Sequence, residues 1–210
     1  MSHVVSRQPW GTVDIDTRTG VIFIQESWFY SWQILGARIP NWTYQEKRIF
    51  HNRLDQEIWG RWSSHFAIRV SGTSSFAHAF ASKPLKLEFD IHWVLHGGNW
   101  HVNAYKVPRG ASPSVYRSNV IFASRTINLY SLIFTPYEAA NDAGATRRGF
   151  LAGPHEFGHT LENPDEYLRN SRYLSDTDSL MNIGHEVRVR HLHLILETLN
   201  TMIPRTEFHA

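Results

Sequence analysis

Two histidines four residues apart with a glutamate beside the first, His155-Glu156-Phe157-Gly158-His159, constrain this chain more than any other feature. On a helix that spacing puts both imidazoles on one face, one turn apart, so the segment is expected to be helical and to hold half of a zinc site. Glu156 directly follows the first histidine, where a carboxylate reaches a water on the metal without itself being a ligand. With 13 histidines in 210 residues, about 0.04 such matches are expected by accident, so chance is a poor explanation.

A catalytic zinc site needs three protein ligands and one open position, so the pair requires a partner from elsewhere in the chain. The sequence has no cysteine, which removes disulfides, thiolate ligands and cysteine nucleophiles and leaves histidine and carboxylate to complete the set. Lysine and arginine (21) nearly balance aspartate and glutamate (19), so a net charge of +2 gives no electrostatic case for a nucleic-acid or anionic-membrane partner. Hydrophobic residues at 42% suffice for the core of one domain. No apolar run is long enough to span a membrane, and Met1 to Trp10 shows no basic start followed by an apolar run, so no conventional export signal is expected.

Val13 to Asp16 and Val21 to Ile24 flank Thr17-Arg18-Thr19-Gly20, the pattern of a hairpin. Thr43 and Glu46 make a capping box, and Phe50, Leu54, Ile58 and Trp62 recur every four residues, which predicts an amphipathic helix over about 43–62. Alternation over 65–70, 86–94 and 100–106 predicts strands, the last two joined as a hairpin through Gly97-Gly98-Asn99. Val120 to Ala123 and Ile127 to Leu132 read as further strands, and 135–149 as a loop. The metal helix is expected to begin at Pro154, or to run from about Thr146 and bend there, and Asn163-Pro164 ends it. Val187, Leu192, Ile195, Leu196, Leu199 and Met202 predict a long closing helix over 186–203.

The stretch His155 to Tyr167, H-E-F-G-H-T-L-E-N-P-D-E-Y, resembles the signature of metzincin-like zinc peptidases, in which a histidine or aspartate six residues after the second histidine completes the ligand set. The resemblance implies His155, His159 and Asp165 as Zn²⁺ ligands and Glu156 as the catalytic base. That family turns its chain on a glycine where this one has Glu162, so the turn is expected one residue later, at Asn163, which tolerates left-handed backbone. Glu166 and Glu186 stand as rival third ligands, the latter if the closing helix supplies it as in gluzincins. Asp178-Ser179-Leu180-Met181-Asn182 is similar to the methionine turn that floors the metal site in metzincins. Where those enzymes use a tyrosine in the transition state it comes two residues after the methionine. Here Ile183 holds that place, leaving Tyr167, Tyr173 and His185 as substitutes.

Over roughly 150–195 the chain also resembles the C-terminal metallopeptidase effector domains of bacterial type VI secretion spike proteins. That implies a toxin domain on a larger secreted spike protein, delivered without a signal peptide into the periplasm of a target cell or into a host cell. It implies a protein or peptide substrate and a cognate immunity protein. The expected fold is α+β of the zincin kind, one metallopeptidase domain over 1–210. A twisted mixed sheet and the active-site helix would occupy 1–164, and a mainly helical C-terminal subdomain 165–210. Two other readings compete: a zinc amidase acting on cell-wall peptides, and a non-catalytic binding module with no zinc or with a closed fourth position.

Overall fold

A computed structural model describes residues 2–210. The chain runs β1 (His3–Arg7), β2 (Thr12–Asp16), β3 (Val21–Ile34), α1 (Tyr44–Trp62), β4 (Ala67–Gly72), α2 (Ser75–Phe80), β5 (Leu85–Val94), β6 (Trp100–Lys106) and β7 (Asn119–Ile121). It continues with β8 (Thr126–Tyr130), β9 (Tyr137–Ala140), β10 (Thr146–Phe150), α3 (Ala152–Thr160), α4 (His193–Met202) and β11 (Thr206–His209). The fold is α+β, with nine strands in one twisted mixed sheet ordered β11-β4-β5-β3-β6-β8-β7, to which β1 and β2 are added along β3.

The centre of the sheet is the 14-residue β3, whose alternate residues Ile22, Ile24, Glu26, Trp28 and Tyr30 are buried. The expected hairpin is present: β2 pairs with β3 antiparallel across the Thr17–Gly20 turn. The expected hairpin between 86–94 and 100–106 is not. Both β5 and β6 run parallel to β3, and both pair with Trp28 and Phe29, so they lie on opposite edges of it. Leu95 to Asn99 therefore crosses over β3. Gly98 makes the crossing: a Cβ there would lie 2.6 Å from Ser27 O and 2.9 Å from Phe29 N, contacts that backbone cannot relieve. Asn99 then fastens the strap, its Oδ1 accepting from Ser27 N at 2.9 Å and Ser27 Oγ at 2.6 Å. A Gly-Gly-Asn turn signal is local, whereas the preference of two apolar strands for the same central partner is not.

Thr43 and Glu46 form the predicted capping box at the start of α1. Its buried stripe, Phe50, Leu54, Ile58 and Trp62, contributes roughly 2 kcal/mol per side chain, against about 1 kcal/mol for the cap. Packing rather than propensity holds α1 against β5 and α3. The stretch 135–149, expected as a loop, contains the two-stranded β9–β10 hairpin. The closing helix is shorter than predicted. A 3₁₀ turn at Val189–Leu192 precedes α4, because the Arg188 N–H donates to His191 Nδ1 at 3.0 Å instead of continuing a helix. Beyond residue 165 the remaining chain is turns and β11, which pairs antiparallel with β4 and extends the main sheet.

Candidate metal centre

The metal helix α3 begins at Ala152, two residues before Pro154, and residues 146–150 that were expected to extend or bend it are β10. Pro154 sits in the first turn, where a missing N–H removes no intrahelical bond. A nine-residue helix is too short to persist alone, and this one is gripped from both sides. Trp62 of α1 donates Nε1–H to Pro154 O at 3.0 Å, and the Phe157 ring packs edge-on against Trp62 and against Phe89 of β5. From below, the Met181 sulfur lies against Gly158, where any Cβ would collide with it. Met181 is fully buried.

Histidine orientation follows from hydrogen-bond chemistry. His155 Nδ1 lies 2.7 Å from Leu180 O, and His159 Nδ1 lies 2.7 Å from Asn163 O. A carbonyl only accepts, so each Nδ1 carries the proton and each Nε2 presents a lone pair. Both Nε2 atoms lie 3.2 Å from Asp165 Oδ1. Three acceptors thus converge on one point, and a positive charge must sit among them. Tetrahedral zinc with bonds of 2.0–2.1 Å spaces its ligand atoms about 3.3 Å apart, close to the two 3.2 Å separations from Asp165 Oδ1. His155, His159 and Asp165 are the group of ligands able to hold a metal ion among the described residues. Without a metal the charge falls to a proton: burial disfavours it on His159, but the contact with Asp165 and the charge of Glu156 outweigh burial and raise that pKa. Burial pushes Asp165 upward, yet His155 and His159 hold its carboxyl well below the usual range.

The rival carboxylates go elsewhere. Glu166 points away from the histidines into pairs with Arg190 and His191, and Glu186 pairs with Arg188 at the surface. The turn after α3 is not displaced to Asn163: Glu162 itself takes φ +65°, at a cost of about 1 kcal/mol for a residue with a Cβ. Asn163 has other work. Its side-chain amide, buried, donates to Gly158 O at 3.1 Å and His191 O at 3.0 Å, while its carbonyl orients His159.

Glu156 faces the adjoining cleft and is 6% exposed, with Oε2 buried and without a hydrogen-bond partner among the described residues. Burial raises its pKa, and the histidines pull the other way. The cleft holds about 220 Å³ and is lined by Glu156, His155, Tyr137, Tyr167, Ile183 and Arg117 among others. Of the proposed tyrosine substitutes, Tyr167 stacks on His155 with centroids 6.1 Å apart. Its phenol is pushed up by burial and by the charges of Asp165 and Glu156. Tyr173 lies under the Arg190 guanidinium and His185 lines a separate groove with Arg61 and His65, so neither joins the centre. Tyr137 was not foreseen. It reaches the cleft through β9, which alternating Tyr137-Glu138-Ala139-Ala140 before an Asn-Asp-Ala-Gly turn could have signalled.

No protein-family model matches this chain, and searches of curated proteins and of solved structures gave no match.

Proposed function

We propose that the chain is a zinc-dependent peptidase of metzincin-like type with a zincin-like fold. The observation that carries the reading is the convergence of three acceptors, His155 Nε2, His159 Nε2 and Asp165 Oδ1, beside a buried carboxylate oxygen of Glu156 that has no partner. A zinc ion held by these ligands would supply Lewis acidity, easing the ionisation of water and polarising a carbonyl oxygen.

Glu156 takes the proton from the attacking water and returns it to the leaving amine, a role for which a carboxyl raised by burial is suited. Tyr167, beside His155, donates its phenolic proton in a hydrogen bond to the developing oxyanion. The terminal strand β7 pairs with β8 on one edge only and lies beside α3, so its free edge is offered to an extended peptide backbone. The resemblance of residues 150–195 to type VI secretion effector domains, and not the geometry, supports the further proposal of a toxin effector on a secreted spike, delivered into a target cell and neutralised by an immunity protein.

Elemental analysis of purified protein, with cleavage of a generic protein substrate followed in parallel, tests the reading. One zinc per chain, retained in Glu156→Gln while cleavage falls by about 10²- to 10⁴-fold, is the expected result. Folded protein with no zinc would leave a binding module as the better description. Zinc with hydrolysis of cell-wall peptides alone would make it an amidase.

A further inference from the structure

Resting on the metal reading above, we infer that Glu166 is a positioning residue, which fixes Asp165 in register with the histidine pair by tying the aspartate's segment to the turn that orients His155.

Asp165 and Glu166 are neighbours that point in opposite directions, one toward the two Nε2 atoms and the other into the protein. The Glu166 side chain is 4% exposed and both its oxygens are used. Oε1 accepts from Arg190 Nε at 2.6 Å and from His191 Nε2 at 3.2 Å. Oε2 accepts from Arg190 Nη2 at 2.7 Å and from Ser179 Oγ at 2.5 Å. The direction of the His191 bond is fixed, because His191 Nδ1 accepts the Arg188 N–H at 3.0 Å and the ring proton is therefore on Nε2.

Ser179 belongs to the turn that serves both ligands. Leu180 O holds His155 Nδ1 at 2.7 Å, and Met181 O accepts the Glu166 N–H at 2.8 Å. Glu166 thus grips Ser179 through its side chain and Met181 through its backbone, one residue to either side of the carbonyl that aims His155. Asp165 inherits its position from this double attachment. The Arg190 fork is braced in turn by Asp176, 2.7 Å from Nη2, and by the Tyr173 ring, 4.0 Å from the guanidinium carbon. Removing an outer partner of this kind typically costs about 10- to 100-fold in metal affinity.

Zinc affinity by chelator competition and the visible spectrum of the Co²⁺-substituted protein, measured on wild type, Glu166→Ala, Glu166→Gln and Asp165→Ala, test the inference. Glu166→Ala is expected to weaken zinc binding by about 10- to 100-fold and to shift the Co²⁺ bands, with Glu166→Gln recovering most of the loss because it keeps the reach to Ser179 and His191. Should Glu166→Ala fail to fold, Arg190→Gln, on a side chain 24% exposed, opens the same fork from the solvent side and is expected to shift the bands likewise. A folded Glu166→Ala or Arg190→Gln with wild-type affinity and spectrum would overturn the positioning role while Asp165→Ala still loses metal. Wild type that takes up no metal would instead bring down the metal reading itself, and this inference with it.

Discussion

The Glu26 carboxyl of β3 lies 2.6 Å from the hydroxyl of Thr160, the last residue of the metal helix. That hydroxyl is also 2.6 Å from Phe157 O, and it has one proton to give. Trp28 Nε1–H donates to the other Glu26 oxygen at 2.8 Å. All three contacts are satisfied when Glu26 is protonated, donates to Thr160, and Thr160 donates to Phe157 O. Glu26 is the one carboxyl in the buried row of β3, and burial raises its pKa to about 8, outweighing the opposing effect of its contacts with Thr160 and Trp28.

A stability profile with pH follows. The folded protein binds this proton up to about pH 8, whereas an unfolded glutamate releases it near pH 4.3. The stabilisation is therefore complete below the unfolded value and is lost as pH rises through about 8. Thermal unfolding of the wild type should weaken steadily from pH 5 to pH 9, by on the order of 4 kcal/mol for this group. Glu26→Gln should flatten that slope. A wild-type profile already flat over this range would mean that Glu26 is not protonated in the fold.

Gly158→Ala drives a methyl group into the Met181 sulfur. A loss of about 1–3 kcal/mol in urea unfolding is expected, as for other overpacked cores. The two changes should couple, so the double variant with Met181→Ala is expected to lose less than the sum of the single losses. Additive losses would show that the sulfur does not press on the helix.

Tyr167→Phe keeps the ring against His155 and removes only the phenolic oxygen. Steady-state kinetics should show kcat reduced by about 10- to 100-fold with KM little changed, the pattern of a contact made in the transition state. Tyr173→Phe, whose ring serves Arg190, should leave both constants alone.

Zinc content separates the candidate third ligands. Asp165→Ala should lose the metal, while Glu186→Gln, whose carboxylate meets only Arg188 near the surface, should keep one zinc per chain. The reverse result would reassign the site.

What the sequence revealed was what neighbours in the chain decide. The β2–β3 hairpin and the capped α1 rest on local turn chemistry and fourfold spacing, and both are present. The histidine pair and Glu156 are equally local. Asp165 needed one further condition, that the chain turn back just after Thr160, and Glu162 accepts a left-handed backbone to meet it. Features set by distant partners were not legible: β5 and β6 each choosing an edge of β3, and the burial of Glu26 beneath the helix. In each case the deciding contact joins residues far apart in sequence, where periodicity carries no information.

The strap from Leu95 to Asn99 also bears on how the molecule assembles. Because it lies across β3, β6 cannot zip up as a hairpin with β5, and each of the two must find the central strand from some 65 to 72 residues away. Loop closure of that length comes before any reward from pairing, so folding should be slow for a chain of this size. Gly98 sits at the crossing itself, and a side chain there would obstruct the step at which the strap closes over β3. Helix α3, packed on α1 and β5, would then be among the later parts to settle.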